Sequence, residues 1–275
     1  VSGALGTDSS GEGNNWTAVN LADSDVMTDT PTNTFAVVNP LFPNLTTSPT
    51  LSQGNLRFTG RAGSYATAVA TMGIKTGAWY WEYYVGATSG SGAQTPGIVQ
   101  GSVPGVLSTY PGYDTSGNLK GISYFNNGYI YGATPAGATD GSSLASGVGT
   151  YTTGDTIGFA VDIPNGTLKF YKNGSLAHTV SSIGTTQDWM PAVSSYSASD
   201  WGVVNFGQTG TFANAGVTAG GNSDANGYGD FKYSVPSGYL ALCTKNLAAP
   251  TIALPGDHFN TVLWTGADTS AAKSV

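Results

Sequence analysis

From residue 51 to about residue 245, short runs of apolar and β-branched residues recur between clusters of Gly, Pro, Asn and Ser. In Trp79-Tyr-Trp-Glu-Tyr-Tyr-Val85 the period of two puts Trp79, Trp81, Tyr83 and Val85 on one strand face and Tyr80, Glu82 and Tyr84 on the other. Each aromatic can bury about 150–250 Å², so this strand is expected to anchor much of a core. Thr156–Ile163 and Thr167–Tyr171 flank Pro164-Asn165-Gly166, and Asn-Gly supplies the positive φ angles of a tight hairpin turn. A second pair, Asn173-Gly174, turns the chain again, so 154–174 reads as a meander. Further strands are predicted at Asn55–Thr59, Tyr65–Thr71, Gly97–Gly101, Gly121–Phe125, Leu176–Val180, Trp189–Val193, Gly202–Phe206 and Gly238–Leu242, with one more over Asn260–Thr265. Polar Gly/Ser/Ala-rich loops are expected at 86–96, 102–118, 132–153 and 207–230. Many short strands at this spacing predict an all-β sandwich.

Residues 1–50 differ: Asp29-Thr-Pro-Thr-Asn33 and Asn39-Pro-Leu-Phe-Pro43 interrupt any regular element. They read as an extended N-terminal arm, a linker from a preceding domain, that packs Trp16, Phe35 and Phe42 onto the body. The sandwich is expected over 51–250, and 251–275 as a last strand and a polar linker toward a following domain. With Val rather than Met at position 1, the chain is expected to begin inside a longer polypeptide.

Composition narrows the partners. Charged residues are 9% of the 275 and aromatics 11%, a balance that favours packing over disorder. Glu occurs only at Glu12 and Glu82, the other acids being Asp, so long helices are not expected. A net charge of −7 with nine scattered basic residues argues against a nucleic-acid partner. No apolar run approaches the roughly 20 residues of a membrane-spanning helix, so no membrane insertion is expected. The single Cys243 excludes an intrachain disulfide and, in Tyr239-Leu-Ala-Leu-Cys243, reads as a buried small hydrophobe.

Candidate chemistry is sparse. His178 and His258 are the only histidines, and no Gly-x-Ser-x-Gly elbow accompanies them. A glycosidase needs two carboxylates across a cleft; Glu82 and Asp162 lie on predicted strands, where a hydrogen-bonded structural role is the expected one. Asp224-Ala-Asn-Gly-Tyr-Gly-Asp230 and Asp8-Ser-Ser-Gly-Glu-Gly-Asn14 space oxygen ligands along Gly-bearing loops, but Asx-type turns account for both, and no metal or other cofactor is expected. The loops themselves are more informative. Tyr110, Tyr113, Tyr129, Tyr131, Tyr151, Tyr196 and Trp201 sit among Ser, Gly and Asn, the mixture of rigid rings and adaptable polar groups found in binding loops. Capping of the sandwich ends is the competing role for these rings.

Gly77-Ala-Trp-Tyr-Trp-Glu-Tyr83, Gly154-Asp-Thr-Ile-Gly-Phe-Ala-Val-Asp162, Leu168-Lys-Phe-Tyr-Lys-Asn-Gly174, Pro191-Ala-Val-Ser194 and Val204-Asn-Phe-Gly207 resemble, in order, the motifs of SPRY domains. The resemblance covers roughly 51–245 and implies a bent antiparallel β-sandwich, concanavalin-like in architecture, that binds through its loops. Gly11-Glu-Gly-Asn-Asn-Trp-Thr17, Asp29-Thr-Pro-Thr-Asn33, Asn39-Pro-Leu41, Pro236-Ser-Gly-Tyr-Leu-Ala-Leu242 and Asp257-His-Phe-Asn-Thr-Val262 resemble segments of multidomain bacteriophage virion proteins, tail fibres or capsid appendages. That second resemblance implies a non-enzymatic virion module, extracellular, whose partners are other virion proteins or copies of itself in a homotrimer, and a host-surface glycan or protein. A polysaccharide depolymerase and a purely architectural spacer are the alternatives.

Overall fold

The computed structural model describes residues 5–8, 10–21, 29–41, 49–101, 109–113, 121–132 and 143–249, together with 259 and 261. The predicted strand 260–265, Phe42 and His258 lie outside these residues. Described strands are β1 (Thr50–Ser52), β2 (Arg57–Thr59), β3 (Ala66–Val69), β4 (Ala78–Ala87), β5 (Gly97–Gln100), β6 (Gly121–Tyr124), β7 (Ile130–Gly132), β8 (Ser143–Ala145), β9 (Thr156–Asp162), β10 (Thr167–Lys172), β11 (Ser175–Ser181), β12 (Trp189–Ser195), β13 (Trp201–Asn205) and β14 (Leu240–Ala241), followed by a 3₁₀ turn at Thr244–Asn246. A large sheet runs β1-β2-β13-β4-β9-β10-β11, with β14 also on β4, and a smaller one runs β3-β12-β5-β6-β7-β8. The result is the expected all-β two-sheet sandwich. One pairing departs from antiparallel: β14 runs parallel to β4 through Leu240↔Trp79 and Ala241↔Tyr80.

Alternation along β4 separates two environments, as its sequence predicts. Trp79, Trp81, Tyr83 and Val85 enter the core between the sheets, where Trp81 stacks on Phe159 at 5.3 Å and 2°. Tyr80 faces outward into a second apolar cluster with Phe35, Ala160, Phe231, Tyr239, Ala241 and Cys243. Ile98, Ile122, Tyr124, Ile130 and Val193 of the smaller sheet close the core from the other side. Strands β1, β7 and β8 escape the sequence pattern because each has three residues, too few to show a period.

The meander forms with the expected register, Thr167↔Asp162 and Lys172↔Ile157 on one side of β10 and Lys172↔Ser175 on the other. Its two turns differ. Asn173 (φ 49°) and Gly174 (φ 80°) both take positive φ and close a two-residue hairpin. The first connection corrects the expectation: between β9 and β10 only Gly166 (φ 61°) takes positive φ. Here Gly166 N–H donates to Ile163 O, and Asp162 accepts the Asn165 backbone N–H, which makes a longer loop than a two-residue turn.

Irregular chain covers the outer face of the large sheet. Phe35 pairs with Cys243, and Ala36 N–H donates to Leu242 O, so the arm and the C-terminal segment lie side by side. Asn205 Nδ2 donates to Asp230 O, and Gln208 Nε2 donates to Ala36 O. Phe35 therefore packs as expected. Trp16 does not: it is 81% exposed. Asp8 accepts the backbone N–H groups of Ser10 and Asn14, Asn15 Oδ1 accepts that of Asp8, and Trp16 N–H donates to Gly6 O. The 6–16 loop thus closes on itself and leaves the indole in solvent.

Candidate binding surface

Glu82 marks how firmly the large sheet is sealed. It points outward from β4 yet is completely buried, accepting the backbone N–H groups of Lys232 and Tyr233 at 2.8 Å each and the Tyr80 hydroxyl at 3.1 Å. Burial pushes its carboxyl up to about 7 against these donors, which act in the opposite direction. Asp162 pairs with Ala78 while Gly158 pairs with Glu82, so the two acids lie on one face four residues apart, about 13 Å at the strand rise. Paired glycosidase carboxylates stand within about 9.5 Å of each other. Asp162 is engaged with Asn165 and Glu82 with the 232–233 backbone, so the two do not share a cleft.

The acidic loops are Asx turns. Asp224 Oδ1 accepts Asn226 and Tyr228 N–H, and its Oδ2 accepts Ala241 N–H and Asn246 Nδ2, which fills both oxygens with donors. Among the described residues, no three His, Cys, Asp or Glu gather as metal ligands. Cys243 is buried, and burial pushes its thiol up. His178 sits on β11 opposite Phe170.

The outer face of the smaller sheet is different. Val69, Val99 and Ala192 form a small satellite cluster there. Alternation places Tyr65, Phe125, Tyr129, Tyr131 and Tyr196 on this same face, at the end where β3 begins, β6 and β12 end and β7 begins. A strap, 109–113, crosses over it. Thr67 Oγ1 donates to Thr109 O, and Gly112 packs so closely against Gly121 and Gly132 that a Cβ would have no room. Tyr110 on the strap meets Tyr65 at 5.0 Å, Phe125 at 4.7 Å, Tyr131 at 6.1 Å and Tyr113 at 5.1 Å between ring centroids. Tyr65 also meets Tyr196 at 5.2 Å, and Tyr129 stacks on Tyr131 at 5.6 Å.

Five of the seven candidate rings, Tyr110, Tyr113, Tyr129, Tyr131 and Tyr196, thus lie together as one platform. Tyr113 (39%), Tyr129 (38%) and Tyr196 (47%) offer it to solvent. Burial, reinforced by the neighbouring phenols, holds Tyr65 and Tyr110 up at about 12. The other two candidates lie elsewhere. Tyr151 is buried and donates its hydroxyl to Gln94 O and Tyr124 O. Trp201 lies flat over Gly86 on the large sheet, with the Arg57 guanidinium 3.9 Å from its ring centroid. Two platform members, Tyr65 and Phe125, were not among the candidates, because each reads as a strand end; outward parity at a strand end was the available signal.

Comparison with known proteins places this geometry in a family. The SPRY domain family model matches residues 78–209. Among solved structures, the SPRY domain of human HERC1 is 18% identical, covering 61% of this chain and 96% of that one with a TM-score of 0.47. The TRIM65 PSpry domain is 12% identical, with 62% and 89% covered and a TM-score of 0.45. A further human SPRY domain is 18% identical, with 54% and 89% covered and a TM-score of 0.42. Curated protein sequences give no match. The matched segment runs from the first residue of β4 to just beyond β13 and takes in the tyrosines of β7 and of the β12 end: residues 78–209 are a SPRY domain.

Proposed function

We propose that this chain is a non-enzymatic binding module of a bacteriophage virion, part of a tail fibre or capsid appendage, which meets the host surface through the tyrosine platform. The observation that carries the reading is the platform itself: three part-exposed tyrosines over a packed aromatic base, on the one broad sheet face that the arm and the C-terminal segment leave uncovered among the described residues. SPRY domains are usually protein–protein binding modules, which supports recognition over catalysis. The virion setting rests on the resemblance of the 11–17, 29–33, 39–41, 236–242 and 257–262 segments to phage virion proteins. Rigid rings supply contact area at little entropic cost, and Tyr is enriched among residues that dominate interface energy.

The test is binding of fluorescently labelled chain to envelopes of candidate bacterial hosts. The Tyr129→Ala/Tyr196→Ala double variant is expected to bind roughly 100-fold more weakly. Leu176→Ser, at an exposed position of β11 on the other sheet, is expected to bind as the unaltered chain does. Undiminished binding by the double variant would overturn the reading.

A further inference from the structure

Beneath the platform lies a polar floor that nothing in the chain satisfies. Thr95, just before β5, donates its backbone N–H to Ser194 O, and Ser123 on β6 stands between Gly97 and Tyr131. Both side chains are fully buried, and neither hydroxyl has a hydrogen-bond partner. At the same end, buried Asn126 donates its Nδ2 to Thr88 Oγ1 and Gly90 O but leaves Oδ1 unpaired. Buried polar atoms normally have a partner, so three orphans at one sheet end call for a cause.

Alternation directs Thr95 and Ser123 toward the outer face, alongside Thr67 and Ser194, whose hydroxyls bond to each other. Gly97 has no side chain to fill the space between Ala192 and Ser123. The small residues make a trough walled by Tyr65 and Phe125, whose ring centroids are 6.4 Å apart, and Tyr110 of the strap sits between the walls. A phenyl ring covers hydroxyls without bonding to them. Tyr110 therefore fills the shape of the trough and leaves its chemistry unmet.

Resting on the platform as the binding surface, we infer that the trough under Tyr110 is a subsite for a neutral sugar. A pyranose carries an apolar face that stacks on tyrosine and hydroxyls that both donate and accept, the combination Thr95, Ser123 and the Asn126 carbonyl lack. The residues that build the trough carry no charged side chain, so an ionic ligand finds no countercharge there. The strap gives way as the sugar enters: its side-chain tie is the Thr67–Thr109 hydrogen bond, and Tyr110 moves off its seat between Tyr65 and Phe125.

Calorimetric titration of the full chain with isomaltohexaose, mannohexaose and chitohexaose tests this. At least one is expected to bind, and Thr95→Val/Ser123→Ala is expected to weaken that binding tenfold or more. The melting temperature of the double variant should equal or exceed that of the unaltered chain, because it deletes unpaired hydroxyls. If the double variant does not fold, Ser123→Ala alone is titrated with the same sugar and is expected to show a several-fold loss. Equal affinity in the hydroxyl variants, or no binding of any of the three sugars, overturns the inference. Sugar binding that depends on Tyr129 and Tyr196 but not on Thr95 and Ser123 would keep the platform and remove the trough. Host binding unaffected by Tyr129 and Tyr196 would remove the platform itself.

Discussion

Glu82→Ala is expected to destabilise the chain by about 3–5 kcal/mol, read from the denaturation midpoint, because it orphans buried donors on two elements at once. The carboxylate is the partner of the Lys232 and Tyr233 backbone N–H groups and of the Tyr80 hydroxyl, and the segment carrying residues 232–233 has no strand pairing there to replace it. Its pH dependence has a defined sign. The folded-state value of about 7 lies above the ordinary 4.5, so the folded chain holds a proton that the unfolded chain has released. Glu82 therefore contributes a stability increment of about 3 kcal/mol, fully present below pH 4.5 and lost as pH rises through 7. Glu82→Gln should flatten that part of the profile. A stability that rises from pH 5 to 7.5 in the unaltered chain and falls in Glu82→Gln would contradict it.

Trp81→Ala is expected to cost about 4 kcal/mol, within the range for emptying a large aromatic site in a core. Trp81 is 2% exposed, lies face to face with Phe159 and belongs to the cluster that joins the two sheets. Both its neighbours on the core face of β4, Trp79 and Tyr83, are held by hydrogen bonds, to Thr76 O and Gln94 Oε1, so the surroundings have little freedom to collapse into the gap. Trp16→Ala supplies the contrast. Its indole is 81% exposed, and the loop that holds it is closed by Asp8 and Asn15 through backbone groups, so the change should fall within about 0.5 kcal/mol of zero. Urea denaturation of both variants measures the difference; equal losses would mean that the burial assigned to one of them is wrong.

The sandwich was legible because its signals are local. A period of two on β4 divides the two apolar clusters, and Asn173-Gly174 writes a hairpin into three consecutive strands. The same locality explains the misses. Asn165-Gly166 has the same two letters as Asn173-Gly174, yet Asp162 captures the Asn165 N–H and lengthens the turn. Tyr131 and Tyr151 both lie in Gly- and Ser-rich surroundings; one faces out of β7, whereas the other is drawn inward by the pairing of its N–H with Asn126 O. Composition does not separate them. Glu82 looked like an acid awaiting a role, and its role comes from backbone groups 150 and 151 residues further along. Tyr65 and Phe125 carried no loop signal at all, because their function in the platform depends on which sheet end they share.

The most direct test of the account is a tyrosine nitration footprint of the chain, free and bound to host-envelope material, read by peptide mapping. Tyr113, Tyr129 and Tyr196 should react in the free chain and be protected in the bound one, while the half-buried Tyr171 and Tyr233 beside the sealed face react equally in both. Protection of Tyr171 and Tyr233 with the platform still fully reactive would place the interface on the opposite side and contradict the account.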